Sequence, residues 1–224
     1  MSEFMNTADV IGDDELCDRI LMRTVTEYNE NRITKVGLNA FTGCTELTSV
    51  NIPEVLTISG SAFSDCSKLT SIHVPNVTTL GENVFYQCTA LEKVCFPSVV
   101  EAKLTTSNQE RGIFVRCTSL KSVDLPVCTA VSGSVFAKAT NLASVILRNT
   151  TVICSLSANI AFGGTKIAEG TGYIYVPRAL LSDEDATKDY RRATNWSEFA
   201  AQFRAIEDYT VDGTVTGELD PSKI

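Results

Sequence analysis

The sequence predicts an α/β protein, a right-handed solenoid in which short parallel strands stack into a sheet and the return half of each coil closes the core behind it. Three observations carry this. One phrase, Phe41-x-x-Cys44-x-x-Leu47-x-x-Val50-x-Ile52-Pro53, recurs four more times along the 224 residues, with its phenylalanines 22, 22, 29 and 22 residues apart. Inside each copy two apolar residues stand two apart, the period of a strand with one buried face. A proline closes most copies, ending the pairing ladder there and turning the chain outward. A 22-residue unit cannot bury its own apolar face, so such units stack.

From the N-terminus, residues 1–30 read as a cap. Asp13 to Met22 predicts a short amphipathic helix using Leu16, Ile20 and Leu21, followed by an edge strand at Thr24-Val25-Thr26 and a turn at Asn29-Glu-Asn-Arg32. Repeats fill 31–177, about six to seven coils. The second copy is Phe63, Cys66, Leu69, Ile72, Val74, Pro75, and the third is Phe85, Cys88, Leu91, Val94, Phe96, Pro97. The fourth is Phe114, Cys117, Leu120, Val123, Leu125, Pro126; the fifth, Phe136, Ala139, Leu142, Val145, Leu147, lacks both Cys and Pro. The return halves repeat as well, with Ile33, Val55, Val77 and Cys128 eight residues before a Phe and Val36, Ile58, Leu80 and Val131 five before it. A decayed sixth unit has Cys154 eight residues before Phe162 and a strand at Ile174-Tyr175-Val176-Pro177. Seven extra residues between Pro97 and Phe114, around Ser107-Asn108-Gln109-Glu110, predict a polar loop.

Residues 178–209 predict a helical C-terminal cap. One helix is expected over about Leu180 to Tyr190, beginning near Ser182-Asp-Glu-Asp185. A second starts with Asn195 as N-cap and Glu198 at the third helical position, so that Trp196, Phe199, Phe203 and Ile206 share a face and close the last coil. Residues 210–224 are polar and glycine-containing, and fraying is expected there.

This pattern resembles the leucine-rich repeat superfamily, and within it the BspA-like bacterial type with its F-x-x-C-x-x-L-x-x-[VI]-x-[LIV]-P signature. Proline after the strand, where common eukaryotic leucine-rich repeats carry asparagine, favours that type. The stretches Gly172–Pro177, Ala193–Ser197 and Arg204–Asp208 resemble a C-terminal cap of such repeat proteins in gut bacteria and their phages. The resemblance implies a leucine-rich-repeat solenoid with a concave strand face and a non-enzymatic adhesion role. It would act at the cell surface or outside the cell, by contact with a protein or glycan ligand such as host extracellular matrix. An alternative keeps the fold but places the chain on a phage or prophage particle as a receptor-binding or accessory tail component.

Composition narrows the partners. Hydrophobic residues make up 44% of the chain, enough for a buried core, and 19 Lys and Arg against 27 Asp and Glu give a net charge of −8 with no basic run. Nucleic acid and anionic membranes are therefore not expected partners. No apolar stretch approaches the roughly 18–20 residues of a spanning helix, so no membrane insertion is expected. Met1 to Val10 lacks the basic-then-apolar layout of a secretory signal, which fits either no export by that route or a leader already removed.

His73 is the single histidine and the eight cysteines contain no C-x-x-C, so no metal site and no cofactor are expected. Cys44, Cys66, Cys88 and Cys117 form one structural column, a small buried side chain whose S–H satisfies a nearby carbonyl. Ala139 at that position in the fifth copy fits this reading. Cys128 and Cys154 share an inward column that holds valine elsewhere, and read as core.

The outward columns are the candidate site. The centre of the strand face runs Thr26, Asn51, His73, Cys95, Asp124, Ile146, Tyr175, and beside it lie Thr24, Ser49, Ser71, Lys93, Ser122, Ser144, Tyr173. Adjacent strands lie ~4.8 Å apart, which puts His73, Cys95 and Asp124 in a row. That row invites a thiol-nucleophile reading. It fails on order, because the cysteine separates its base from the acid that would orient it, and an open strand surface offers no spare N–H donors for an oxyanion. No catalytic residue is therefore assigned. Binding through Asn51, His73, Lys93, Asp124, Ile146, Tyr173 and Tyr175 is the expectation, with the tyrosines either exposed anchors or covered by the C-terminal cap.

The register has a direct test. Leu91→Ala, inward in a central coil, is expected to cost ~2–5 kcal/mol in urea melts. Ser71→Ala, outward on the strand, is expected to stay within ~0.5 kcal/mol. Equal effects would shift the register by one residue.

Overall fold

The structure, a computed structural model, describes residues 10–11, 24–102, 111–211 and 214–215. Along these residues short strands alternate between two faces of a solenoid. The return face carries β1 (Val10–Ile11), β3 (Lys35–Val36), β5 (Thr57–Ile58), β7 (Thr79–Leu80), β9 (Glu101–Ala102), β11 (Ala130–Val131) and β13 (Ser155–Leu156). The long-strand face carries β2 (Glu27–Asn29), β4 (Ser49–Asn51), β6 (Ser71–His73), β8 (Lys93–Cys95), β10 (Ser122–Asp124), β12 (Ser144–Ile146), β14 (Tyr173–Val176) and β15 (Phe203–Ala205). On both faces neighbours pair in parallel, as in Ser49↔Ser71 and Ser122↔Ser144. A terminal pair, β16 (Thr210–Val211) and β17 (Thr214–Val215), is antiparallel.

The repeated residues build the core as their spacing dictates. Val50 and Ile52, Val123 and Leu125, and Val145 and Leu147 are buried, while Ser49, Asn51, Ser122 and Asp124 between them are more exposed. The phenylalanines stack ring on ring, with centroids 4.9 Å apart for Phe41–Phe63, 5.7 Å for Phe63–Phe85, 5.6 Å for Phe85–Phe114, 5.9 Å for Phe114–Phe136 and 5.3 Å for Phe136–Phe162. The cysteine column locks each turn to the coil before it. The thiols of Cys66, Cys88 and Cys117 donate to the carbonyls of Phe41, Phe63 and Phe85 at 3.1, 3.1 and 2.9 Å.

One element of the turn is invisible in the apolar pattern. The residue before each column position adopts a left-handed conformation, whether it is Gly43, Asp65, Gln87, Arg116 or Lys138. This costs a non-glycine residue ~1–2 kcal/mol. The reward is that its N–H points along the solenoid and donates to the next coil, Asp65 to Tyr86, Gln87 to Val115 and Arg116 to Ala137. The Phe N–H does the same, so two backbone bonds join successive turns.

On the strand side the stack is interrupted once. β6 does not pair with β8, nor β7 with β9, so each face divides into two sheets. The turn column runs through unbroken, Phe63 N–H donating to Val84 and Phe85 N–H to Ile113. Core residues at the interruption are correspondingly less covered, with Leu80 and Val94 each 7% exposed and Ile72 only partly buried.

Three expectations need correction, and two fall outside the described residues: the helix over 13–22 and most of the extra loop around Ser107–Glu110. The first strand is Glu27–Asn29, not Thr24–Thr26. Asn29 pairs opposite Asn51, while Thr26 ends the preceding turn, its carbonyl accepting from Thr48. The C-terminal cap is not α-helical. Arg178–Leu180, Ala186–Lys188 and Tyr190–Arg192 are single 3-10 turns, because the Asp185 and Asp189 carboxylates accept the N–H groups of Thr187 and Arg191 two residues on and compete with helix propagation. Ser197–Gln202 is 3-10 as well, and Asn195 does not cap it. It is left-handed, and its amide reaches back to the carbonyls of Leu156 and Ser157 at 2.7 and 3.0 Å. Phe203–Ala205 leaves the helical path altogether and adds an eighth strand to the long-strand face, because the open edge of β14 offers Ile174–Val176 as a partner. Finally, the chain beyond Thr210 is not all frayed, since β16 and β17 form a hairpin.

The cap still closes the core as expected. Trp196 and Tyr190 are fully buried, Phe199 and Phe203 nearly so, and Trp196 and Phe199 sit 5.9 and 5.1 Å from the Phe162 ring. Asp189 is buried too. Burial works to raise its carboxyl, but hydrogen bonds from Arg191 and the charges of Arg191 and Arg192 outweigh that and hold it below the usual carboxylate range.

Gly112 marks a close approach between coils. A Cβ there would collide with the Ser134 carbonyl of the next coil, while the Gly112 N–H donates to Asn83 Oδ1 at 2.9 Å. Gly112→Ala is expected to lower stability by ~1–3 kcal/mol through overpacking. An unchanged urea midpoint would contradict that contact.

Candidate functional site

A groove of ≈ 820 Å³ runs along the long-strand face. Six of the residues expected to bind line it: His73, Lys93, Asp124, Ile146, Tyr173 and Tyr175. The parallel register places them, since Cys95 lies opposite Asp124, Asp124 opposite Ile146 and Ile146 opposite Tyr175, with Lys93, Ser122, Ser144 and Tyr173 in the column beside them. Asn51 is exposed on the same face, paired opposite His73, but lies beyond the groove lining.

The side chains differ in availability. His73 and Lys93 are exposed. Tyr173 is half-buried, and the Arg204 guanidinium lies 4.3 Å from the centre of its ring. Tyr175 and Ile146 are 2% and 5% exposed, and Tyr175 packs edge-on against Tyr209 at 5.5 Å. Of the two readings for the tyrosines, coverage by the C-terminal segment describes Tyr175, and an accessible ring describes Tyr173. The β17 residues Thr214 and Val215 complete the rim.

Charge on this face is organised by residues that sequence reasoning passed over. Asp124 is gripped by Arg148, Nε to the two carboxylate oxygens at 3.1 and 3.0 Å and a terminal nitrogen at 2.8 Å. Arg148 occupies the place after the strand that holds proline in four other copies, which was the available signal. Lys121 pairs with Glu92 at 2.9 Å on the adjacent rim. Lys93 and His73 are exposed at the interruption between β6 and β8, where Ile72 and Val94 also reach the groove.

The His73–Cys95–Asp124 row does not assemble into an activated thiol. Asp124 is committed to Arg148, and the Cys95 thiol is pushed up by partial burial and by the Asp124 charge, with Arg148 acting weakly the other way. His73 stands on β6, which does not pair with the Cys95 strand. Among the described residues no three His, Cys, Asp or Glu side chains cluster to hold a metal ion, and no helix is long and apolar enough to cross a membrane.

The sequence matches the BspA type leucine rich repeat region, in six copies, over residues 17–143. No curated protein matches it. Among solved structures, it resembles a leucine rich cell surface protein from Faecalibacterium prausnitzii A2-165, at 26% identity and a TM-score of 0.51 over 62% of this chain and 43% of that one. It also resembles a leucine rich repeat protein of T. pallidum, at 27% identity and a TM-score of 0.53 over 62% and 63% of the two chains. The pneumococcal vaccine antigen PcpA, at 16% identity, a TM-score of 0.54 and coverage of 69% and 36%, shares the fold. The matched part is thus under two thirds of the length of each of these proteins.

With its thiolate disfavoured, Cys95 is expected to react with iodoacetamide more slowly than free cysteine at neutral pH, despite its exposure. Its rate should climb only above the ordinary cysteine range, read by mass spectrometry of the Cys95 peptide. Rapid labelling at neutral pH would revive the nucleophile reading.

Proposed function

This chain belongs to the BspA-type leucine-rich repeat family, and we propose that it is a non-enzymatic binding module holding a protein or glycan ligand in the long-strand groove. The observation that carries the reading is the contrast within that groove. A floor of stacked strands presents the half-buried Tyr173 ring at one end and the exposed His73 and Lys93 side chains at the other. An aromatic face at low conformational cost and separate polar contacts are what a peptide or sugar ring requires. Preorganisation also favours it, because strands fixed by coil stacking lose little freedom on binding. Family membership and the likeness to the F. prausnitzii cell surface protein support an adhesion role at the cell surface or in the extracellular space.

The reading is tested by biolayer interferometry against extracellular-matrix proteins, mucins and bacterial surface glycans, with Tyr173→Ala and Lys93→Ala beside the wild type. Both side chains are at least partly exposed, so both variants should keep the wild-type melting temperature. At least one ligand should bind, and either substitution should weaken it ~10-fold or more. Full retention in both variants would move the site off this groove, and silence across the whole panel would sink the adhesion role.

A further inference from the structure

We propose that Cys128 and Cys154 are a disulfide-forming pair, a covalent modification site that staples the last two repeat coils together beneath the C-terminal cap. The inference rests on core geometry and is independent of what the groove binds.

Cys154 differs from the other buried cysteines in where its sulfur points, and its neighbour Cys128, which donates to the Ala130 carbonyl at 3.3 Å, receives it. In the turn column each of Cys66, Cys88 and Cys117 is directed at a phenylalanine carbonyl one coil back, and so away from its neighbour's thiol. Cys154 instead turns its Sγ to Cys128 Sγ at 3.9 Å, with only a long 3.8 Å approach to the Ser155 carbonyl besides. The coils that carry them are in direct contact, β11 pairing with β13. Both side chains are fully buried, in a position that Val55 and Val77 fill in earlier coils. A disulfide needs its sulfurs at about 2.0 Å, so forming one requires the 3.9 Å pair to close by side-chain rotation between two coils already in contact.

The surroundings hold Cys154 in place. Its N–H donates to the Tyr190 hydroxyl at 2.7 Å, and its carbonyl accepts from Trp196 Nε1 at 2.6 Å. Its S–H points towards Cys128, and that contact lowers the Cys128 thiol against the opposing effect of burial. Cys128 takes the attacking role and Cys154 the resolving role, and the product is the same if they exchange. The oxidant is an organic disulfide such as glutathione disulfide. Cys128 attacks it, forming a mixed disulfide and releasing one equivalent of thiol. Cys154 then attacks the Cys128 sulfur, loses its proton and releases the second equivalent. The exchange takes place before Tyr190 and Trp196 close over the pair, and the finished bond is then sealed beneath them.

The test is to refold the full chain in a glutathione redox buffer, quench with iodoacetamide, and map tryptic peptides without reduction. The expected product joins the peptide of residues 122–138 to that of residues 149–166, and reduction separates them. The melting temperature of the wild type should rise by several degrees on oxidation. Cys154→Val, which restores the aliphatic side chain of the other coils, should fold and lose both the cross-link and the redox dependence. Recovery of both cysteines fully alkylated after unfolding, or cross-links between other cysteines in their place, would overturn the proposal. So would a Cys154→Val variant whose melting still responds to oxidant.

Discussion

Everything in this molecule depends on the contact between one turn and the next. A coil has strands of two to four residues, too short to be stable singly, and its apolar face is covered only when another coil lies on it. The turn column makes that contact. Stacked phenylalanine rings at 4.9–5.9 Å and two backbone bonds per coil act together at the same point of the repeats, joined at Cys66, Cys88 and Cys117 by a thiol bonded one coil back. Its dominance is visible where the strand pairing lapses. Between β6 and β8 the ladder is lost on both faces, yet the turns on either side remain bonded and the rings remain stacked. The strands are therefore carried by the turns, which lets the strand face vary freely in the outward residues that a ligand would meet.

That division explains how much was legible in the sequence. Fold, register and the inward residues follow from one constraint repeated many times, so the period stands out above any single substitution. From Asn51 to His73 and again from Cys95 to Tyr175 the columns deduced from spacing are the columns the strands form, with the pairing lost between His73 and Cys95. The cysteine column could likewise be read as structural, because Ala139 replaces its cysteine without loss of packing. The caps carry no such repetition. Around Asp185 and Asp189 a helical pattern of side chains competes with carboxylates that bond their own backbone, and the local bonds prevail. Phe203 fell on a helical face by spacing, but an unpaired strand edge nearby offered its backbone more. Neither the break between β6 and β8 nor the left-handed residue before each column position leaves a mark on the apolar pattern. Asp65, Gln87, Arg116 and Lys138 share a conformation and no chemistry.

The candidate site was legible in position but not in state. Sequence spacing places Ile146, Tyr173 and Tyr175 together, yet whether they face solvent depends on Tyr209 and the terminal hairpin, which no repeat rule covers. Asp124 reads as a free acid in its column until Arg148, two residues beyond the end of the following strand, is seen to claim both its oxygens. A bidentate pair of this kind fixes direction, so Asp124 serves the face as part of a rigid, nearly neutral unit. Among the described residues that line the groove, Lys93 is then the cation outside an ion pair, on a protein of net charge −8. Its attraction for an anionic group is local to the groove, because beyond about 8 Å physiological salt screens it from the acidic remainder.

The C-terminal cap ends the array by first imitating it. Trp196 takes the place above Phe162 that another phenylalanine would occupy, and β15 takes the place of the next strand. A solenoid so continued has moved its open edge rather than removed it, and the departure from the repeat is what closes it. Tyr190 and Trp196 turn their polar atoms to the backbone of Cys154, satisfying N–H and carbonyl groups that a further coil would otherwise have met. The same imitation shapes the groove. Because β15 continues the register, Arg204 falls opposite Tyr175 and reaches across the Tyr173 ring. That cation holds the ring in one orientation. The segment that seals the core thus also supplies the cation that lies over the aromatic wall of the face.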